Sequence, residues 1–173
     1  NNIRVTTHPG QFAVISSDSD DVIANAIREL NYHSWIFDQM NFDRTPYYAI
    51  NIHGGKKGNS QKAINTINSL PSSVRDRLTL ENDEMSFNVR DLLKIHEFTG
   101  TPIVLDSHHY TFNTGNMSLE EANNETIKTW KSIKPLQHLS NTEIGLENSN
   151  FQNRRKRSEE HTSELQSRFG ISY

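Results

Sequence analysis

Five short apolar runs, joined by stretches of helical spacing, constrain this chain more than any other feature. Ile3-Arg4-Val5-Thr6-Thr7 is β-branched and breaks at His8-Pro9-Gly10, which predicts a strand and then a loop. Ser19 or Asp20 can cap a helix through Val22, Ile23, Ala26, Ile27, Leu30, Trp35, Phe37 and Met40, whose apolar residues recur at three- and four-residue steps. Tyr47-Tyr48-Ala49-Ile50-Asn51-Ile52 predicts the next strand, ending at His53-Gly54-Gly55, and a helix with Ala63, Ile64, Ile67 and Leu70 follows. Leu78-Thr79-Leu80 is a third strand, ending at Glu81-Asn82-Asp83. The helix after it, through Val89, Leu92, Leu93, Ile95 and Phe98, closes at Gly100 with Pro102 beyond. Ile103-Val104-Leu105 is a strand ending at Asp106. Ser118 and Glu121 have the spacing of a capping box for the next helix, which runs toward Trp130 and Ile133. A weak strand around Leu136 ends near His138. The alternation predicts an α/β fold of parallel strands with crossover helices, an incomplete TIM-type (β/α) barrel. A full barrel takes about 250 residues, and this chain has 173.

The strand ends carry the chemistry. In order they offer His8, His53, Glu81, Asp106 with His109, and His138, each able to bind a hard or borderline metal. Strand C-termini of such a barrel meet on one face, where active sites are built, so residues distant in sequence converge. Imidazole and carboxylate without sulfur suit Mn²⁺, Zn²⁺ or Fe²⁺. A carboxylate such as Glu81 can bridge two ions about 3.5–4 Å apart, the spacing used in phosphoester hydrolysis.

Composition narrows the class. The chain has no cysteine, which removes disulfides and thiolate metal sites. No apolar run approaches the ~20 residues of a membrane span, and the start, Asn1-Asn2-Ile3-Arg4-Val5, has no secretory pattern. These features predict a cytoplasmic protein, nucleoid-associated in a bacterium. A net charge of −3 argues against a nucleic-acid coat protein. It leaves a nuclease open, because bound cations change the local charge.

The blocks His8-Pro9-Gly10-Gln11-Phe12, Ile52-His53-Gly54-Gly55, Leu80-Glu81-Asn82-Asp83 and Asp106-Ser107-His108-His109 resemble, in order and spacing, the signature blocks of the UV damage endonuclease family. The resemblance runs up to Arg155. It implies an endonuclease IV-like barrel that nicks damaged double-stranded DNA on the 5′ side of a UV photoproduct or related lesion, acting as a monomer. It also implies two or three divalent ions, Mn²⁺ foremost, held by His8, His53, Glu81, Asp106, His109 and His138, with Glu81, Asp106 and His109 catalytic. Gln11 and Phe12 correspond to a Gln-Tyr pair that probes the duplex at the lesion; the alternative for Phe12 is packing under its own loop. Arg154 and Arg155, in a basic cluster with Lys156, are expected at phosphates. Asn82 and Asp83 either support Glu81 or shape the loop.

The sequence departs from the family at several points. Leu136 stands where a lysine is usual two residues before His138, with Lys134 offset, and Tyr110 replaces a third consecutive histidine. The family's later histidine and final glutamate would lie beyond Arg155, and a histidine-bearing strand would precede Asn1. The chain is therefore expected to be a piece, of low stability and inactive alone. Residues 157–173, from Arg157-Ser158-Glu159 to Tyr173, resemble a translated sequencing adapter, which confines the barrel domain to residues 1–156. His33 and His96 lie in predicted helices and are expected to be packing or surface residues. His108 is expected to point away from the site if the local backbone is extended. A sugar isomerase or epimerase on a related barrel, or a metal-binding remnant without catalysis, are the competing readings.

Overall fold

The computed structural model describes residues 3–10, 12–140, 142, 147–154 and 171–172. The observed order is β1 (Arg4–Val5), α1 (Asp20–Gln39), β2 (Ile50–Ile52), α2 (Ser60–Ser69), α3 (Ser72–Arg75), β3 (Leu78–Glu81), α4 (Val89–Thr99), β4 (Ile103–Asp106), α5 (Ser107–Phe112), α6 (Leu119–Lys128), β5 (Gln137–His138), α7 (Phe151–Arg154) and β6 (Ile171–Ser172). Strands β2-β3-β4-β5 form one parallel sheet in sequence order. A parallel bridge between Thr7 and Ile50 brings the segment after β1 alongside β2, while β1 itself pairs antiparallel with β6. Sequential parallel strands with helical crossovers make this an incomplete TIM-type barrel, as the alternation predicts.

Period-two alternation decides what each face of the sheet does. Ile50, Ile52, Leu78, Leu80 and Ile103 pack outward against Ala63, Ile64 and Ile67 of α2 and Leu92 and Ile95 of α4, in the main core. Asn51, Thr79 and Glu81 take the intervening positions and hydrogen-bond to one another on the opposite face, inside the barrel. Lower in the interior, Ala49, Val104, Trp130 and Leu136 form a small apolar floor. Arg4 enters that floor with its guanidinium over the rings of Tyr47 and Trp130 at 4.9 and 5.2 Å. It donates to the carbonyls of Pro46, Tyr47, Lys134 and Pro135, tying the segments that precede β2 and β5.

The helices differ from expectation in two details. On α1 the buried line is Ala26, Leu30, Ser34 and Phe37, whereas Val22, Trp35 and Met40 are exposed. Ser34 can occupy the core line because its hydroxyl donates to the Ser73 carbonyl, at 2.8 Å. Ser118 caps α6 by accepting from the Glu121 N–H, but the reciprocal box is formed on α4, between Asn88 and Asp91.

Candidate metal centre

The residues predicted at the strand ends do converge. Glu81, the last residue of β3, is buried at 1% exposure with its two oxygens facing different neighbours. Oε2 lies 3.1 Å from His8 Nε2 and accepts a short bond from Asn51 Nδ2. Oε1 lies 3.0 Å from His138 Nδ1 and 3.8 Å from His109 Nε2. The His53 ring lies 5.1 Å from that of His8, tilted to it, and 5.0 Å from that of His109, edge-on to it. Two groups thus form around one carboxylate, His8-His53-Glu81 and Glu81-Asp106-His109, each with ligand atoms within 4.8 Å of one another. His138, opposite Asp106 in the β4–β5 register, joins through Glu81.

Asp106 shows how local structure aims a ligand. It ends β4 and serves as N-cap of α5, its Oδ1 accepting from the backbone N–H groups of His108 and His109 at 2.7 and 2.9 Å. This turns Oδ2 toward His109 Nε2, 3.9 Å away. Asn82 fixes the same residue through its backbone, donating to the Asp106 carbonyl at 3.0 Å and accepting from its N–H at 2.7 Å. Asn82 therefore supports Asp106 directly. Asp83 shapes its loop, with Oδ1 accepting from the N–H groups of Met85 and Ser86.

The electrostatics suit a cation. Burial opposes the charge on Glu81 more than any other single influence. The charges of His138 and His53, with hydrogen bonds from His138 and His8, nevertheless hold its carboxyl well below the usual range. Burial, aided by His109 and His8, pushes the His53 imidazolium down, offset only in part by Glu81 and Asp83. His53 Nδ1 is buried without a hydrogen-bond partner, and the Asp83 carboxylate is 3.7 Å away. A buried polar nitrogen left unbonded is costly. A neutral imidazole turned into a ring of carboxylates and imidazoles has the chemistry of a ligand for a divalent ion, so the residues present fit such a group.

The other predicted residues fall out unevenly. Phe12 is 77% exposed, which removes the alternative that it packs under its loop; Gln11 and Arg155 lie outside the described residues. Arg154 rests over the Phe112 ring at 5.5 Å, at the end of the helix that carries His109. His108 is buried with its ring 5.1 Å from Phe112; the backbone there is helical, so the extended-chain argument does not apply. Tyr110 is buried and donates to the Met117 carbonyl. Leu136 completes the apolar floor and brings no donor, and Lys134 is exposed before β5. His96 bonds the Thr101 carbonyl at 2.8 Å and His33 sits on α1 beside Tyr32, both packing residues.

Sequence reasoning missed Asn51, Thr79 and Glu84. Thr79 Oγ1 donates to Asn51 Oδ1 at 2.8 Å, turning the amide nitrogen toward Glu81. Glu84 Oε2 lies 2.5 Å from His109 Nδ1. The first two were legible in the alternation Ile50-Asn51-Ile52-His53 and Leu78-Thr79-Leu80-Glu81, which puts them on the ligand face. Glu84 lies in a loop, where no periodicity applies.

A model of the family described as UV-endonuclease UvdE matches residues 1–168. The UV DNA damage endonuclease of Nostoc sp. is 39% identical over 108 residues, covering 62% of this chain and 34% of the relative. The crystal structure of SacUVDE superposes with a TM-score of 0.75 at 34% identity, over 82% of this chain and 49% of that one. An L-ribulose 3-epimerase superposes with a TM-score of 0.56 at 13% identity, over 84% of this chain and 53% of that one, a likeness of fold alone. The chain spans 34–45% of the length of the curated relatives it matches. With a sequence match over nearly its whole length and a solved relative of the same half-barrel, the chain belongs to the UV-endonuclease UvdE family.

Proposed function

We propose that this chain is the metal-binding face of a divalent-cation-dependent DNA-repair endonuclease, which nicks double-stranded DNA on the 5′ side of UV photoproducts or related lesions. The observation that carries the reading is Glu81, one buried carboxylate shared by two overlapping ligand groups. His8, His53 and Glu81 would hold one ion and Glu81, Asp106 and His109 a second, with His138 beside Glu81; Mn²⁺ suits this oxygen and imidazole set. When bound, such ions supply positive charge for the oxygens of the scissile phosphodiester.

The chain's own residues do the rest. Glu81 is held ionised and offers an oxygen to each half of the site, and burial disfavours the charged form of His53, whose buried Nδ1 has no hydrogen-bond partner. Asp106, fixed by Asn82 and by the first turn of α5, keeps one oxygen for the site. Phe12, exposed in the loop after β1, presents a ring that can fill space left by unstacked bases. Gln11 beside it and the guanidinium groups of Arg154 and Arg155 would take the duplex edge and the phosphates.

The test is nicking of supercoiled plasmid, irradiated or not, with Mn²⁺ and the protein encoded by the gene resequenced past Lys156, assayed beside this chain. Nicking that requires irradiation and metal and falls to background in Glu81→Ala is the expected result. A folded, metal-binding protein that leaves irradiated plasmid intact would sink the nuclease reading.

A further inference from the structure

The four histidines around Glu81 are not held alike. His8 Nδ1 lies 3.1 Å from the carbonyl of Pro9, a neutral group. His53 Nδ1 has the Asp83 carboxylate at 3.7 Å, beyond a hydrogen bond. His109 has a carboxylate in hydrogen-bond contact with its outer nitrogen: Glu84 Oε2, 2.5 Å from Nδ1. A carboxylate can only accept from a neutral imidazole, so Nδ1 carries the proton and the Nε2 lone pair faces Glu81 and Asp106.

We propose that Glu84 is a positioning residue that locks His109 in its Nδ1–H tautomer. Its charge makes Nε2 a stronger donor, so that the Glu81-Asp106-His109 half of the site takes a divalent cation more tightly than the other half. The inference rests on the reading of the cluster as a cation site.

The loop around Glu84 is built to hold it there. Asp83 Oδ1 accepts from the N–H groups of Met85 and Ser86, both at 2.7 Å, closing a tight turn through Glu84. Phe87, fully buried, anchors the loop, and a Cβ on Gly55 would come within 2.3 Å of its ring. Asn113 ties this turn to the helix of His109. Its side chain donates to the Asp83 carbonyl at 2.9 Å and the Ser86 carbonyl at 3.3 Å, and its N–H bonds the His109 carbonyl at 3.2 Å. The carboxylate and the imidazole thus stand on segments fixed to each other. Met85, the residue after Glu84, is 59% exposed, so the turn directs one side chain inward and the next outward.

Hydrogen bonding of a ligand histidine to a carboxylate is a general means of fixing ring orientation, and its loss typically costs about 10–100-fold in metal affinity. Long-range proton–nitrogen NMR of the metal-free, ¹⁵N-labelled chain reads each imidazole's tautomer, and calorimetric titration with Mn²⁺ reads affinity. In the unsubstituted chain His109 is expected as the Nδ1–H form. Glu84→Ala should release that tautomer, leave His8 unchanged, and weaken the tighter Mn²⁺ step by about 10–100-fold. Glu84→Gln can still accept from Nδ1–H, so it should keep the tautomer and lose affinity only by several-fold. It also carries the test if the alanine variant does not fold. Unchanged Mn²⁺ affinity in both variants, or a His109 tautomer indifferent to Glu84→Ala, overturns the proposal alone. An unsubstituted chain that binds no Mn²⁺ overturns the cation reading and this inference with it.

Discussion

Glu81 illustrates what a single residue must be given before it can stay charged inside a protein. A carboxylate taken out of water loses several kcal/mol of hydration, even after relaxation. Here the loss is offset by the histidines on both oxygens and by Asn51, itself oriented through Thr79. Asn51 matters because its amide nitrogen fixes Oε2 without competing for the Oε1 side. Asn51→Ala is expected to leave the far-UV circular dichroism unchanged and to weaken Mn²⁺ binding by about 10-fold, read by calorimetry. Unchanged affinity would mean that the imidazoles alone orient Glu81. The ligands themselves were legible because each ends a recognisable strand. Glu84 was not, because its partnership with His109 depends on the turn that Asp83 closes and on a helix starting at Ser107. That helix was hidden too: Asp106-Ser107-His108-His109 reads as a strand end and loop until the Asp106 side chain caps the chain into a turn.

At the scale of elements, the outer shell of the barrel depends on Arg77, which precedes β3 and is fully buried. Its guanidinium donates to Asp38 at 2.7 Å and to the carbonyls of Ser34, Phe42, Asp43 and Ser73, joining α1, the loop after it and α3. The α1 helix was legible from its spacing, and so were Ala26, Leu30 and Phe37 on its inward face; Ser34 was not, since it and Arg77 satisfy each other in a place where the pattern favours Trp35. Arg77→Ala would leave those carbonyls unbonded around a cavity. Removal of one member of such a buried network costs about 3–5 kcal/mol, out of about 5–15 kcal/mol for a typical domain. Urea denaturation should show a midpoint lowered accordingly, or no cooperative transition at all. A loss below about 1 kcal/mol, the worth of one ordinary hydrogen bond, would show that α1 docks through its apolar residues alone.

At the scale of the molecule, the described strands make an open sheet, not a closed ring. β5 pairs with β4 on one side, and beside it a cavity of about 340 Å³ opens between Leu105, Leu119, Asn123, Gln137, His138 and Leu139. The parallel order and one-face convergence followed from the alternation in the sequence; the floor, closed by Arg4 over Trp130, did not, because a buried arginine is invisible to periodicity. The last stretch of chain offers a test of how much of the molecule belongs to the barrel. We read residues 157–173 as adapter-derived, although the backbone of Ile171–Ser172 pairs with Arg4–Val5. A two-residue antiparallel pairing adds few hydrogen bonds, each with a net worth of about 1 kcal/mol, and such isolated pairs are marginal in water. Val5 packs against the main core and Arg4 is held by four carbonyls on the other segments, so β1 keeps its place without that pairing. A chain ending at Lys156 should therefore show the same urea midpoint and the same Mn²⁺ affinity as the longer one. A drop in either would mean that the terminal residues act as a strand of the fold, and the domain boundary at 156 would have to move.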